Sequence, residues 1–98
     1  MSERETSIPT EALGDVGYLS RSNHRVAILE TLARVPSSRG ELEEKTGSSR
    51  ATVDRIVNEL EDRGWAVRRT DGEYEATPTG AQLAAQFRSL LVVSVSKV

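Results

Sequence analysis

Cysteine is absent and histidine occurs once, as His24. There is therefore no disulfide framework and no thiolate metal site, and zinc would need several carboxylates around that one imidazole. No apolar run approaches the roughly 18 residues that would cross a bilayer. The start MSERETSIPTE lacks the basic and apolar regions of a secretory signal, so a soluble, cytoplasmic protein is expected. Aromatics are scarce as well. Tyr18, Trp65, Tyr74 and Phe87 cannot line a groove of stacked bases, which argues against single-stranded or RNA ligands. Neighbouring carboxylates such as Glu43 and Glu44, or Glu61 and Asp62, point to different sides of a helix and make no acid/base pair. Without a second histidine or other orienting group no nucleophilic triad is supported either. No enzyme, no cofactor and no metal is expected.

What remains is shape and charge. A chain of 98 residues makes one domain with a thin core. Its 15 acidic residues outnumber 13 basic ones, so any nucleic-acid contact must be local rather than a general coating. All the basic residues except Lys45 and Lys97 are arginines, whose planar forks suit phosphate and guanine edges.

Residues 1–10 mix charge, Ser, Thr and Pro9 without periodicity and read as a flexible N-terminal arm, leaving 11–98 as a single domain. EALGDVGYLS carries apolar residues at helical spacing but also Gly14 and Gly17, and makes at best a short helix or turn. Ser22 then caps a helix whose stripe of Val26, Ile28, Leu29, Leu32 and Ala33 stops at Val35-Pro36. Ser38 and Glu41 stand at capping-box spacing before a short helix from about Arg39 to Thr46, which Gly47 closes in a left-handed conformation. Ser48 or Ser49 caps a longer helix, and its Val53, Ile56, Val57 and Leu60 form the strongest periodic signal in the chain.

Beyond Gly64, the runs WAVRRT and EYEAT flank Asp71-Gly72, a pair that favours a two-residue type I′ hairpin turn. Such a turn would set Arg69 opposite Tyr74, Arg68 opposite Glu75 and Val67 opposite Ala76. In PTGAQLAAQFRSLL helical spacing returns at Leu83, Phe87, Leu90 and Leu91, after which VVSVSKV alternates more like a strand. The fold class is mainly α with a small antiparallel β-hairpin, in the element order of a winged helix-turn-helix.

The stretch ELEEKTGSSRATVDRIVNELEDRGWAVRR, with EATPTGAQLA after the hairpin, resembles the DNA-binding domain of MarR/ArsR/IclR-type prokaryotic regulators. The run YLSRSNHRVAILETLA is most similar to archaeal members, those of the haloarchaea, and the resemblance covers about residues 18 to 88. It implies transcription regulation by sequence-specific binding of double-stranded DNA, with a recognition helix over 49–63 in the major groove and a wing over 66–77 on the backbone or minor groove. Carried onto this chain, it implies DNA contacts from Ser49, Arg50, Thr52, Arg55, Arg68 and Arg69. Geometry agrees in part: opposite the apolar stripe lie Ala51, Arg55 and Asn58, and Asn58 joins the candidates because Arg and Asn read guanine and adenine edges. Two positions depart from the pattern. Glu43 stands where a small residue is usual and Ser48 where an apolar one would pin the turn, which leaves the angle between the two helices open.

Each cation also has a plainer role. Arg55 can pair with Glu59 one turn on, and Arg68 with Glu75 across the hairpin, which makes Arg69 the better wing candidate. Arg21, His24 and Arg25 can be simple solvated residues at a helix start, and Trp65 is expected to anchor the helix–wing junction in the core. A winged helix that binds a protein partner instead of DNA is the alternative, favoured by the acidic balance. A homodimer is expected because one reading helix covers about one half-site, and 90–98 is a candidate dimerisation or linker segment. Longer members of the resembled family carry a sensing domain, so this chain reads as a fragment or a short relative.

Overall fold

The structure, a computed structural model, describes Tyr18 and residues 23–96, with side chains to residue 89. The expected arm, the weak helix around Tyr18 and the Ser22 cap lie outside the described residues. Among the described residues four helices and a hairpin follow in order: α1 Asn23–Arg34, α2 Arg39–Thr46, α3 Arg50–Asp62, β1 Ala66–Arg68, β2 Tyr74–Ala76 and α4 Pro78–Ser96. The expected winged helix-turn-helix is the fold observed.

Local chemistry sets the helix ends. Ser38 Oγ accepts from the Glu41 amide while Glu41 Oε1 accepts from the Ser38 amide, completing the capping box. At the other end of α2, Gly47 adopts φ 71°, and its amide donates to the Glu43 carbonyl. Only two residues then separate it from α3, so the helices turn sharply. Thr77 precedes α4, accepts from the Gly80 amide at 3.1 Å and donates its hydroxyl to the Gly64 carbonyl at 2.7 Å, tying the start of α4 to the end of α3.

One face of each helix closes over a single core. Ile28, Leu29 and Leu32 of α1, Leu42 of α2, Val53, Ile56, Val57 and Leu60 of α3, Trp65, Tyr74, Leu83 and Ala84 are all buried. Each fully buried aliphatic side chain contributes about 1.5–3 kcal/mol, and the α3 stripe supplies four of them, which fixes the rotation of that helix. Tyr18, five residues ahead of α1, is buried in the same cluster, and periodicity around it did not signal this.

Three expectations are corrected. The hairpin pairs Ala66 with Ala76, Val67 with Glu75 and Arg68 with Tyr74, one residue away from the expected register. Only Gly72 in the turn has positive φ, 87°, whereas a type I′ turn would need it at Asp71 too. Instead the Gly72 amide donates to the Arg69 carbonyl and the Arg69 amide to the Glu73 carbonyl, the pattern of a three-residue loop with one left-handed glycine. Third, α4 continues as helix through Ser96, so the alternation in VVSVS is overridden by propagation from well-packed turns before it. The sheet also has an unforeseen edge: Ser37 and Tyr74 exchange backbone hydrogen bonds of 2.9 and 2.8 Å, fastening β2 to the chain entering α2.

Candidate nucleic-acid interface

Because its apolar stripe is buried, α3 turns its N-terminus and the opposite face outward. Arg50, Ala51, Arg55 and Asn58 are exposed and Thr52 is half-buried. Ser49 caps the helix: its hydroxyl accepts from the Thr52 amide at 3.2 Å and donates to Thr52 Oγ1 at 3.0 Å. This uses one amide of the first turn and leaves those of Arg50 and Ala51 without an intrahelical acceptor, the arrangement suited to an anion.

The turn before α3 is pinned by polar contacts where an apolar residue would be usual. Ser48 is buried, its Oγ lies 2.6 Å from His24 Nδ1 and 2.8 Å from Thr46 Oγ1, and Thr46 donates to the Leu42 carbonyl. The Ser48 hydroxyl thus bridges His24 of α1 and Thr46 of α2. His24 therefore braces the turn from α1, a role that its place at a helix start did not reveal.

Charges around α3 are mostly partnered. Arg55 Nη1 lies 3.6 Å from Glu59 Oε2, while Arg39 of α2 reaches Asp54 at 3.3 Å and donates to the Tyr74 hydroxyl at 2.9 Å. Arg39 thus links α2, α3 and the wing. On the wing the new register exchanges the roles expected for two arginines. Arg69 lies 3.3 Å from Asp71 and 3.7 Å from Glu75, whereas Arg68 stacks over the Tyr74 ring at 5.9 Å, with no carboxylate partner among the described residues. The structure thus sets Ser49, Arg50 and Thr52 at the N-terminal end of α3, with Arg55 and Asn58 further along its exposed side, and places Arg68 and Arg69 on the hairpin.

Glu59 is a hub. It accepts a hydrogen bond from the Tyr18 hydroxyl, and Arg25 Nε lies 3.5 Å from the same oxygen, Oε1. The Tyr18 hydrogen bond is the main reason the Glu59 carboxyl is held below its ordinary range, while burial first, and the carboxylate second, push the Tyr18 phenol up. No group of three or more potential metal ligands occurs among the described residues, and no helix there is long and apolar enough to cross a membrane.

Residues 13–96 match the sequence model of the HVO_A0261 N-terminal domain. The chain belongs to that family. No curated protein matches it. Among solved structures, this member of the HVO_A0261 N-terminal domain family is similar to a double mutant of ZitR from Lactococcus lactis, at 21% identity and TM-score 0.68, over 78% of this chain and 56% of that one. It is also similar to the MarR family protein Rv2887 of Mycobacterium tuberculosis, at 19% identity and TM-score 0.70, covering 89% and 66%. For the transcriptional regulator BldR of Sulfolobus solfataricus the values are 22%, 0.70, 89% and 68%. The chain therefore spans 56% of the ZitR chain and 66% of Rv2887, and what these identities share is the winged-helix fold.

Proposed function

We propose that this domain binds double-stranded DNA sequence-specifically as part of a transcriptional regulator, with 49–63 reading the major groove and the wing, 66–77, on the backbone or minor groove. The observation that supports this best is the rotation of α3. Its four apolar side chains are fully buried, and Arg50 at the helix N-terminus and Arg55 and Asn58 further along are all exposed. Ser49 and Thr52 shape that N-terminus for a phosphate, and Arg68 and Arg69 extend the positive surface onto the hairpin. The ion pair with Glu59 does not disqualify Arg55, since an exposed pair is worth about 0–1 kcal/mol and a guanidinium has donors to spare. The names of the similar structures agree with a regulator, which would work in the cytoplasm without a cofactor or enzymatic step.

The domain acts as residues 11–98 with 1–10 as an arm, and as a homodimer, since two half-sites one helical turn apart supply the specificity that one cannot. Gel shifts with genomic fragments across a salt series test the reading. Binding should weaken with a log–log slope near 0.9 per phosphate neutralised. The reading as a protein-binding winged helix draws on the carboxylate partners of Arg55 and Arg69, and it would be favoured by absent or salt-independent DNA binding.

A further inference from the structure

We infer that Tyr18 is a positioning residue for DNA reading: by clamping one oxygen of Glu59 it makes the other oxygen a fixed holder for the Arg55 guanidinium. The inference rests on the reading by Arg55 proposed above. The two carboxylate oxygens have separate duties. Oε1 takes the Tyr18 hydroxyl and faces Arg25, whereas Oε2 faces Arg55.

Tyr18 is well placed to hold its end. Its ring meets Trp65 edge-on at 5.7 Å and lies between the guanidinium of Arg63 at 3.7 Å and that of Arg25 at 4.7 Å. Together with Glu59 and Asp62 these groups line an open cleft, in which Arg25 is only 13% exposed at its side chain. Arg55 by contrast is 51% exposed, and a lone pair one helical turn apart at such a site does not confine a long side chain. A carboxylate already hydrogen-bonded by a phenol and paired with a largely covered arginine has less freedom left to lose, so pairing with it costs less and restricts Arg55 more. The remaining edge of the guanidinium is then presented to a guanine in a reduced set of rotamers. Tyr18 itself is 5% exposed and comes from outside α3, and its hydrogen bond to Glu59 is its link to the carboxylate that holds Arg55.

The test uses the whole chain and a duplex selected from a random DNA pool, with one variant duplex for each base position. Arg55→Ala identifies the position where discrimination collapses. At that position Tyr18→Phe and Glu59→Gln should each lower the ratio of mismatched to matched Kd by roughly fivefold, leaving the salt slope as in the wild type. Neither change should act further in an Arg55→Ala background. Relaxation of the Arg55 Nε–H group by NMR, without DNA, should show greater mobility in both variants. A purely structural Tyr18 would instead lower affinity for every sequence alike. If Arg55→Ala loses discrimination while the other two keep it and leave Arg55 mobility unchanged, the inference is overturned alone. If Arg55→Ala keeps discrimination everywhere, reading by Arg55 falls and the inference falls with it.

Discussion

At Gly80 a single hydrogen atom makes room for the domain's closure. A Cβ there would stand 2.1 Å from the carbonyl oxygen of Trp65, and that oxygen is already held by the Thr77 amide at 2.9 Å. Backbone cannot swing aside as a flexible side chain does, so Gly80→Ala should cost at least the 1–3 kcal/mol or so typical of overpacking. Thermal unfolding checks this, and an unchanged Tm would mean that α4 does not approach the wing so closely. At Arg55 the prediction concerns readout: Arg55→Ala should lose about 1–3 kcal/mol of discrimination at one base position and leave the melting temperature nearly unmoved, as the residue faces away from the core. The Tyr18–Glu59 contact carries a pH signature. Glu59 is depressed below its ordinary 4.5, so its stabilisation is present above that pH and is lost as pH falls through the lower folded value. Tyr18 is raised above 10.0, so its stabilisation is present below that pH and is lost as pH climbs through the higher folded value. Urea unfolding of wild type and Tyr18→Phe should therefore differ most at neutral pH and converge in acid; a gap independent of pH would show that the hydroxyl contributes through packing alone.

Among the elements, the wing departs furthest from what its residues promised. Asp71-Gly72 is a turn signal in either geometry, but one left-handed residue is less demanding than two, and Asp71 uses its side chain to accept from the Glu73 amide at 3.0 Å. The one-residue slip moves Arg68 opposite Tyr74 and gives Glu75 to Arg69. Arg68→Ala should therefore weaken DNA binding about equally for all sequences and shallow the salt slope by roughly 0.9, while Arg69→Ala, whose charge is already shared with Asp71 and Glu75, should change the slope less. The reverse order, measured by fluorescence anisotropy across a salt series, would point to a wing that rearranges on DNA. The short helix α2 behaved as its residues said, because its caps are set by neighbours in sequence.

For the molecule as a whole, the core is small enough that single methyl groups count. Val57→Ala should cost about 1–3 kcal/mol and Leu60→Ala about 2–5, read from urea or thermal unfolding, and a stability that barely moved would contradict the burial of α3. Assembly is the larger question. Helix α4 runs for 19 residues, about 28 Å at the usual rise, and the side chains of its last two turns or so lie outside those described. From sequence, Leu90, Leu91, Val92, Val93 and Val95 form an apolar run, and the proposed dimer would use them. Sedimentation should show a dimer at micromolar concentration that a Leu91→Glu, Val95→Glu variant loses. A wild-type monomer, or an unchanged dimer in the variant, would rule this surface out.

What the sequence determined alone is what depends on near neighbours: the Ser38–Glu41 box, the left-handed Gly47, the stripe of α3, and hence the order of elements and the outward face with Ala51, Arg55 and Asn58. Those features are decided within one or two turns of chain, where spacing and propensity suffice. Only the tertiary structure decided the rest. The burial of Tyr18, its contact with Glu59 across 41 residues, the bracing of Ser48 by His24, the link from Arg39 to Asp54 and Tyr74, and the closeness of Gly80 to Trp65 all join residues distant in sequence. The wing register belongs to the same group, since Ser37 from before α2 holds Tyr74 on its other edge, and a two-stranded ribbon alone leaves the choice between turns only weakly determined.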